Sequence, residues 1–227
     1  MLSRDLPPPT LRTRVTYRLI QEGGDVVGWA SDQLRRIAAI GPTSRRARAF
    51  GSFGAGTIVC HPLDSLVNPR AIHLGEGTIV APHCALSAGW MPDQPDLADH
   101  VVTIGDRCLI GRGSSIIGHE SIVIGDDVWT GHHVHITDMN HGYERLDVPI
   151  ANQWMDEVPV VIGDGAWLGH GTVVLPGSRI GRHAVIGANS VVSGVVPDHS
   201  VAVGAPARVV RRHEPGEGWV RPVESHT

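Results

Sequence analysis

The sequence has few aromatic residues, no lysine and no long run of apolar residues. Aromatic side chains make up 4% of its 227 residues, so the core must consist mainly of Val, Ile, Leu and Ala, which suits a thin, stacked structure. All 19 basic residues are arginine and the net charge is −4, which argues against electrostatic binding of nucleic acid. We find no signal peptide or membrane-spanning stretch and therefore expect a cytoplasmic protein without a membrane span.

Cysteine is also scarce, with Cys60, Cys84 and Cys108 as its three positions. An odd count without C-x-x-C spacing predicts neither a disulfide framework nor a thiolate zinc site. Cys84 and Cys108 fall on the small-residue position of a repeat described below, so we expect them to be small buried side chains.

A six-residue period is the clearest pattern that is present. Over residues 162–197 an aliphatic residue recurs at every sixth position, and the residue four places later is small or β-branched. A helix, with a period of 3.6, and a simple strand, with a period of 2, do not produce this pattern. It predicts a solenoid whose flat faces each turn one branched apolar side chain inward. The same pattern begins near Phe53.

Two segments interrupt the period, residues 87–100 and 139–158. Interruptions in a solenoid become external loops, and such loops often carry function. Ahead of the repeats, residues 26–40 show the apolar spacing of an amphipathic helix, which Gly41 and Pro42 should end. We therefore predict an N-terminal segment with one helix (1–50), a repeat domain (51–211) and a C-terminal tail (212–227).

Three segments of the repeat domain carry a resemblance to a known family: I-G-D-G-A-W-L-G at 162–169, V-I-G-A-N-S-V-V at 185–192 and G-A-P-A-R-V-V-R at 204–211. They resemble the hexapeptide-repeat acyltransferases, closest to the maltose and galactoside O-acetyltransferases and related polysaccharide O-acyltransferases. The lysine-free composition and the N-terminal region also resemble those of actinobacterial sugar acyltransferases, one candidate being the mycobacterial kind that succinylates methylglucose lipopolysaccharides. The N-terminal cap motif of the maltose enzymes is not seen, which puts maltose as the acceptor in doubt.

The resemblance implies a mainly β fold, a left-handed parallel β-helix of hexapeptide repeats with a short N-terminal helical segment and two external loops. It also implies a homotrimer that transfers an acetyl or succinyl group from acyl-CoA, held between subunits, to a carbohydrate hydroxyl. No metal is expected. The positions that match the family's CoA site are Trp167, Gly169, Ala188, Ser193, Arg208 and Arg211. The family often has Lys after the position of Ser193, where this chain has Gly194.

Acyl transfer to a hydroxyl requires a base that removes its proton and donors that stabilise the oxyanion. Histidine suits the first task because its pKa lies near working pH. His141 follows Asp138-Met139-Asn140 at the second interruption, where the resemblance places the family's catalytic histidine, and His119 is the residue to test if His141 proves dispensable. The expected substrate-binding residues around this base are Asp138, Asn140, Trp90 and Arg145.

Three alternatives stay open. The acceptor of an N-acyltransferase would be an amino sugar or a small amine. The cluster of His132, His133 and His135 would suit a zinc hydratase like the gamma-class carbonic anhydrases, although their H-G-C-type segment is absent. A β-helix without catalytic activity would serve as a trimeric scaffold.

Overall fold

The structure, a computed structural model, describes the backbone of residues 11–154 and 156–221 and the side chains at 18, 20–154 and 156–221. The chain divides into two units after Ala38. The first unit contains the helix α1 (Leu11–Ala38), and the second contains the repeats.

Helix α1 begins 15 residues before its predicted start at residue 26 and ends two residues before its predicted end. The reason for the difference is that residues 11–22 are rich in straight-chain helix formers, whose propensity does not depend on apolar periodicity. Arg18 and Glu22 add a pair one turn apart, with Nε 2.9 Å from Oε1. Gly23 and Gly24, which weaken a helix by about 1 kcal/mol each, lie inside it.

The second unit consists of stacked coils whose strands are two to four residues long over most of its length. Three short 3₁₀ helices cover Arg45–Ala49, Pro69–Ala71 and Ile150–Asn152. The strands in chain order are β1 (Ser52–Phe53), β2 (Ile58–Val59), β3 (Ser65–Val67), β4 (Ile72–Leu74), β5 (Ile79–Val80), β6 (Ala85–Ala88), β7 (Val102–Ile104), β8 (Leu109–Ile110), β9 (Ser115–Gly118), β10 (Ile122–Ile124), β11 (Trp129–Thr130), β12 (His135–Thr137), β13 (Met139–Asn140), β14 (Asp156–Glu157), β15 (Val160–Ile162), β16 (Trp167–Leu168), β17 (Val173–Val174), β18 (Arg179–Ile180), β19 (Val185–Ile186), β20 (Val191–Val192), β21 (Val195–Val196), β22 (Ser200–Val203), β23 (Arg208–Glu214) and β24 (Gly218–Val220).

From β1 to β22, apart from the pair β13 and β14, successive strands belong to three different sheets in turn. The first sheet has the order β1-β4-β7-β10-β15-β18-β21, the second β2-β5-β8-β11-β16-β19-β22-β23-β24, and the third β20-β17-β12-β9-β6-β3. Pairing along the coils is parallel and in register; for example, Ile122 lies between Val102 and Val160. This is the three-faced parallel β-helix of the predicted left-handed class.

The core is a column of aliphatic side chains, one or two from most strands of the three sheets, that includes Ile72, Ile104 and Ile162. Small polar residues fill the corners and bond to the next coil: Thr78 donates its hydroxyl hydrogen to the Gly105 carbonyl at 2.7 Å. Cys84 and Cys108 are buried as predicted, and burial raises the pKa of the Cys84 thiol to about 11.

The C-terminal region continues the second sheet instead of leaving it. Strand β23 pairs antiparallel with β22, and β24 pairs antiparallel with β23. Residues 212–227 were predicted as a tail, but this part of the chain contains the end of β23 and all of β24. Within the described residues, no helix is long and apolar enough to cross a membrane.

Candidate functional site

Both external loops leave the β-helix at the corner between the third and first sheets. The first loop (residues 89–101) follows β6, and the second (residues 141–155) follows the short strand β13. Strands β13 and β14 pair antiparallel, Asn140 with Asp156, and close the base of the second loop. On the coil between the two loops, the chain turns sharply after β9 at residues 119–121.

His141 is the first residue of the second loop and is exposed. It lines a cleft of about 630 Å³ whose other walls come from the same loop, from β13 and β14 at its base, and from Val158 and Pro176. Asn140 and Arg145 line this cleft too. The structure therefore brings three of the predicted site residues to one cavity.

The second loop is held in shape by the Gln153 side chain. Its Oε1 accepts a hydrogen bond from the Arg145 N–H at 3.0 Å, and its Nε2 donates to the carbonyls of Arg145 and Val148 at 2.8 and 3.0 Å. The Arg145 guanidinium pairs with Asp147, Nη2 to Oδ2 at 2.8 Å. The charge of Arg145 is therefore already partnered by a carboxylate of the same loop.

Asp138 has a different role from the predicted substrate contact, because its side chain is fully buried. Its carboxylate accepts hydrogen bonds at 2.8–3.0 Å from the backbone N–H groups of His119, Glu120 and Ser121. Burial raises the pKa of Asp138, but the adjacent His119 ring and these three N–H groups outweigh it and hold the pKa below its usual value. We correct the prediction: Asp138 fixes the turn after β9 to the base of the second loop.

Trp90 lies at the same corner, in the first loop. Its ring centroid is 4.1 Å from that of His119, and its exposed face lines an apolar pocket that it shares with Trp154 of the second loop. Trp154 was not predicted from the sequence, although the signal used for Trp90, an aromatic residue in an external loop, also applies to it.

Most of the residues predicted to bind CoA lie away from the corner that carries His141. Trp167 points outward from the second sheet, stacked between Trp129 and Val185 of the neighbouring coils. Arg208 and Arg211 pair with Val203 and Val201, and paired residues of antiparallel strands share a face. Both arginines therefore share the outer face of the second sheet with Trp167.

Gly169 and Ala188 lie at the corner between the second and third sheets. A Cβ on Gly169 would come within 2.5 Å of the Ala188 backbone nitrogen, so glycine is required there by the stacking of the coils. Ser193 differs from the other CoA positions because it follows β20, at the same corner as His141 and two coils further along.

Within one chain, the two halves of the predicted site are on opposite sides of the β-helix. The corner that carries His141 joins the third and first sheets, so it faces away from the second sheet, which carries Trp167, Arg208 and Arg211. The structure does not bring the base and these residues together in one protomer.

Comparison with known proteins identifies the repeats. Residues 159–194 match the model of the bacterial transferase hexapeptide (six repeats), and residues 101–129 match the hexapeptide repeat of succinyl-transferase. In these two stretches the repeats match hexapeptide repeats of transferases. The two matched stretches run from β7 to β11 and from β15 to β20, one on each side of the second loop, and they confirm the resemblance seen in the sequence.

Two relatives and one solved structure show how far this likeness extends. A probable acetyltransferase of Mycobacterium tuberculosis is 33% identical over 64% of this chain and 43% of its own length. A putative lipopolysaccharide biosynthesis O-acetyl transferase of Escherichia coli is 35% identical over 50% of this chain and 61% of its own length. The chain thus spans about half the length of these relatives. The crystal structure of an N-acyltransferase from Bacillus cereus, with 17% identity and a TM-score of 0.64, covers 78% of this chain and 92% of that one, and supports the hexapeptide fold alone.

The three histidines of the sequence cluster do not all lie on one strand. His132 and His133 lie in the turn before β12, and their ring centroids are 6.3 and 5.5 Å from that of His170. His135 is separate from them, and its Nδ1 is 2.7 Å from the Ser115 hydroxyl. Over the described ranges, no three His, Cys, Asp or Glu side chains are grouped as metal ligands.

Proposed function

We propose that the protein transfers an acetyl group from acetyl-CoA to a hydroxyl of a sugar or polysaccharide, with His141 as the general base. The observation that carries this proposal is the position of His141: it is exposed in a polar cleft at the break of a hexapeptide transferase repeat. The two curated relatives named above are a probable acetyltransferase and a putative lipopolysaccharide biosynthesis O-acetyl transferase.

The reaction needs no covalent intermediate on the protein. His141 takes the proton of the acceptor hydroxyl while its oxygen attacks the thioester carbonyl. The tetrahedral oxyanion then collapses, the C–S bond breaks, and CoA leaves as a thiol after accepting a proton. The cleft supplies polar side chains around the acceptor, including Asn140, Glu144 and Asp156.

The donor would bind between two copies of the chain. Arg208 and Arg211 would hold its phosphates, since arginine forms charge-assisted contacts with phosphate oxygens. They lie on the side of the β-helix opposite the His141 corner, so a site that contains both needs a second copy. This geometry supports the homotrimer that the family resemblance implies.

A continuous apolar surface supports the same assembly. The apolar ladder runs along the outside of the second sheet, one residue from each coil and all in register. Its members are Ile58, Ile79, Leu109, Trp129, Trp167, Val185 and Val201. Four of the seven are exposed in one chain, and contiguous apolar surface of this kind is typical of interfaces.

Acetyl is favoured over succinyl because two of the arginines that could partner a succinyl carboxylate, Arg145 near His141 in sequence and Arg107 on an earlier coil, are already paired. Arg145 pairs with Asp147, and Arg107 bonds to Asp127 through Nε and Nη2 at 2.8 Å each. A succinyl group would bring a carboxylate into the cleft, and neither of these two arginines would be free to pair with it. A buried carboxylate without a partner is unfavourable.

The test is a screen of donors against acceptors that measures released CoA. Acetyl-CoA with a carbohydrate hydroxyl should give turnover. Mild alkaline hydroxylamine distinguishes the acceptor atom, because it cleaves an O-acetyl ester and leaves an N-acetyl amide intact. An amide product would replace the O-acyltransferase by the N-acyltransferase.

A further inference from the structure

An apolar pocket of about 380 Å³ lies between the two external loops, beside the cleft of His141. Trp90, Met91 and Pro95 of the first loop form one wall, and Trp154 of the second loop forms the other. Trp154, together with Gln153, lines the polar cleft as well. A ligand bound next to His141 can therefore extend past Trp154 into this pocket.

The polar side chains that line the apolar pocket are engaged within their own loops. All three hydrogen bonds of the Gln153 amide go to the backbone of the second loop. Oε1 of Gln94 accepts a hydrogen bond from the Trp90 backbone N–H at 2.8 Å. The pocket thus offers two indole rings and aliphatic atoms, a lining that favours a hydrocarbon group over a second sugar ring.

The first wall is held in place by hydrogen bonds within the chain. Asn68, which is buried and has a left-handed backbone with φ of 48°, holds the first loop. Its Nδ2 donates to the carbonyls of Ala88 and Met91 at 2.7 and 2.8 Å, and its Oδ1 accepts from the Asp93 N–H at 2.7 Å. Trp90 rests against the buried ring of His119. Such preorganisation lowers the entropy cost of binding.

We infer that this pocket is an acceptor subsite that takes an alkyl or aryl group attached to the sugar. The inference rests on the proposed function: the sugar would lie in the polar cleft, with its reacting hydroxyl at His141, and its apolar substituent would lie between Trp90 and Trp154. The exposure of Trp154, at 90%, leaves a large indole face for this contact.

Calorimetry with methyl and octyl β-D-glucoside, below the micelle-forming concentration, tests this subsite without requiring turnover. Octyl glucoside should bind at least about tenfold more tightly than methyl glucoside. Trp154→Ala and Trp90→Ala should each remove most of that difference. Trp219→Ala, at a half-exposed tryptophan of β24, is the matched control and should retain it. The inference is overturned if the two glucosides bind equally well. It is also overturned if Trp154→Ala and Trp219→Ala reduce the affinity difference between them to the same extent.

Rates of acyl transfer distinguish a failure of the proposed alkyl subsite from a failure of the proposed acetyltransferase function. With acetyl-CoA as donor, the acceptor KM should fall as the alkyl chain lengthens, and Trp154→Ala should flatten this trend. If Trp154→Ala instead changes the preference between octanoyl-CoA and acetyl-CoA and leaves the glucoside trend intact, the pocket serves the donor and the inference is wrong. Tight octyl glucoside binding without transfer from any acyl-CoA would overturn the proposed function, while calorimetry would still support an alkyl site.

Discussion

Nδ1 of His119 lies 3.6 Å from Oδ1 of Asp138, and both side chains are buried. That distance is too long for a hydrogen bond, and Nδ1 finds no other partner in the described part of the chain. The carboxylate instead bonds to the backbone of the turn that carries His119, while Trp90 covers the ring. Three successive coils are thus linked at the corner that carries His141.

Asp138→Asn should destabilise the fold, because the amide replaces a charged acceptor of three backbone N–H groups. We expect a loss of about 1.5–3 kcal/mol at pH 7. The folded pKa of Asp138 is lowered from 3.8, so its contribution is fully present above about pH 4 and is lost as the pH falls toward the folded pKa. Urea unfolding of both proteins from pH 7 to pH 3 checks this; a stability difference that does not shrink below pH 4 would contradict it.

Replacing both Arg208 and Arg211 by Ala should weaken donor binding and leave kcat less affected. Each charge-assisted contact is worth about 1.5–3 kcal/mol, so the KM for acetyl-CoA should rise tenfold or more. The measurement is initial rates over a range of donor concentration and ionic strength. Arg179→Ala, on the outer side of the first sheet, is the control and should behave as wild type. An unchanged donor KM in the double variant would show that β23 is not part of the donor site.

Asp147→Asn should release Arg145 and shift donor preference toward succinyl-CoA. We expect the ratio of kcat/KM for succinyl-CoA to that for acetyl-CoA to rise by about tenfold, which corresponds to about 1.4 kcal/mol. Adding Arg145→Ala to this variant should restore the wild-type ratio, since the cation is then gone. Competition between the two donors measures the ratio. A wild-type preference for succinyl-CoA would contradict the assignment of acetyl.

Light scattering should give about three times the chain mass of 24.3 kDa. Trp129→Glu places a charge in the middle of the apolar ladder and should convert the trimer to smaller species with much lower activity. Trp219→Glu, also at an exposed tryptophan but outside the ladder, should remain trimeric. An active monomer would refute both the trimer and the shared donor site.

The six-residue period predicted a solenoid, and the structure confirms its stacked coils. The left-handed β-helix and the choice of His141 as the candidate base came from the resemblance to hexapeptide-repeat acyltransferases, and the role of His141 stays a prediction. The role of Asp138 could not be predicted, since its partners are 17–19 residues away on another coil. The extent of helix α1 was underestimated because its first half lacks apolar periodicity.

The separation of His141 from Arg208 and Arg211 also required the structure. His141 and the two arginines were each predicted from family motifs. Only the assignment of the strands to three sheets shows that they lie on opposite sides of the β-helix in one chain. Similarly, Trp90 and Trp154 are 64 positions apart, and only stacking of the two loops at one corner brings them to the same pocket.

The most direct test of the proposed function is the rate of CoA release from acetyl-CoA, with and without a sugar acceptor, by wild-type protein and by His141→Ala. His141 is exposed, so the variant should keep the fold and oligomeric state of the wild type. We predict acceptor-dependent release by the wild type and a loss of at least about 100-fold in kcat for the variant. Near-normal turnover by a folded His141→Ala variant would contradict the account and direct attention to His119.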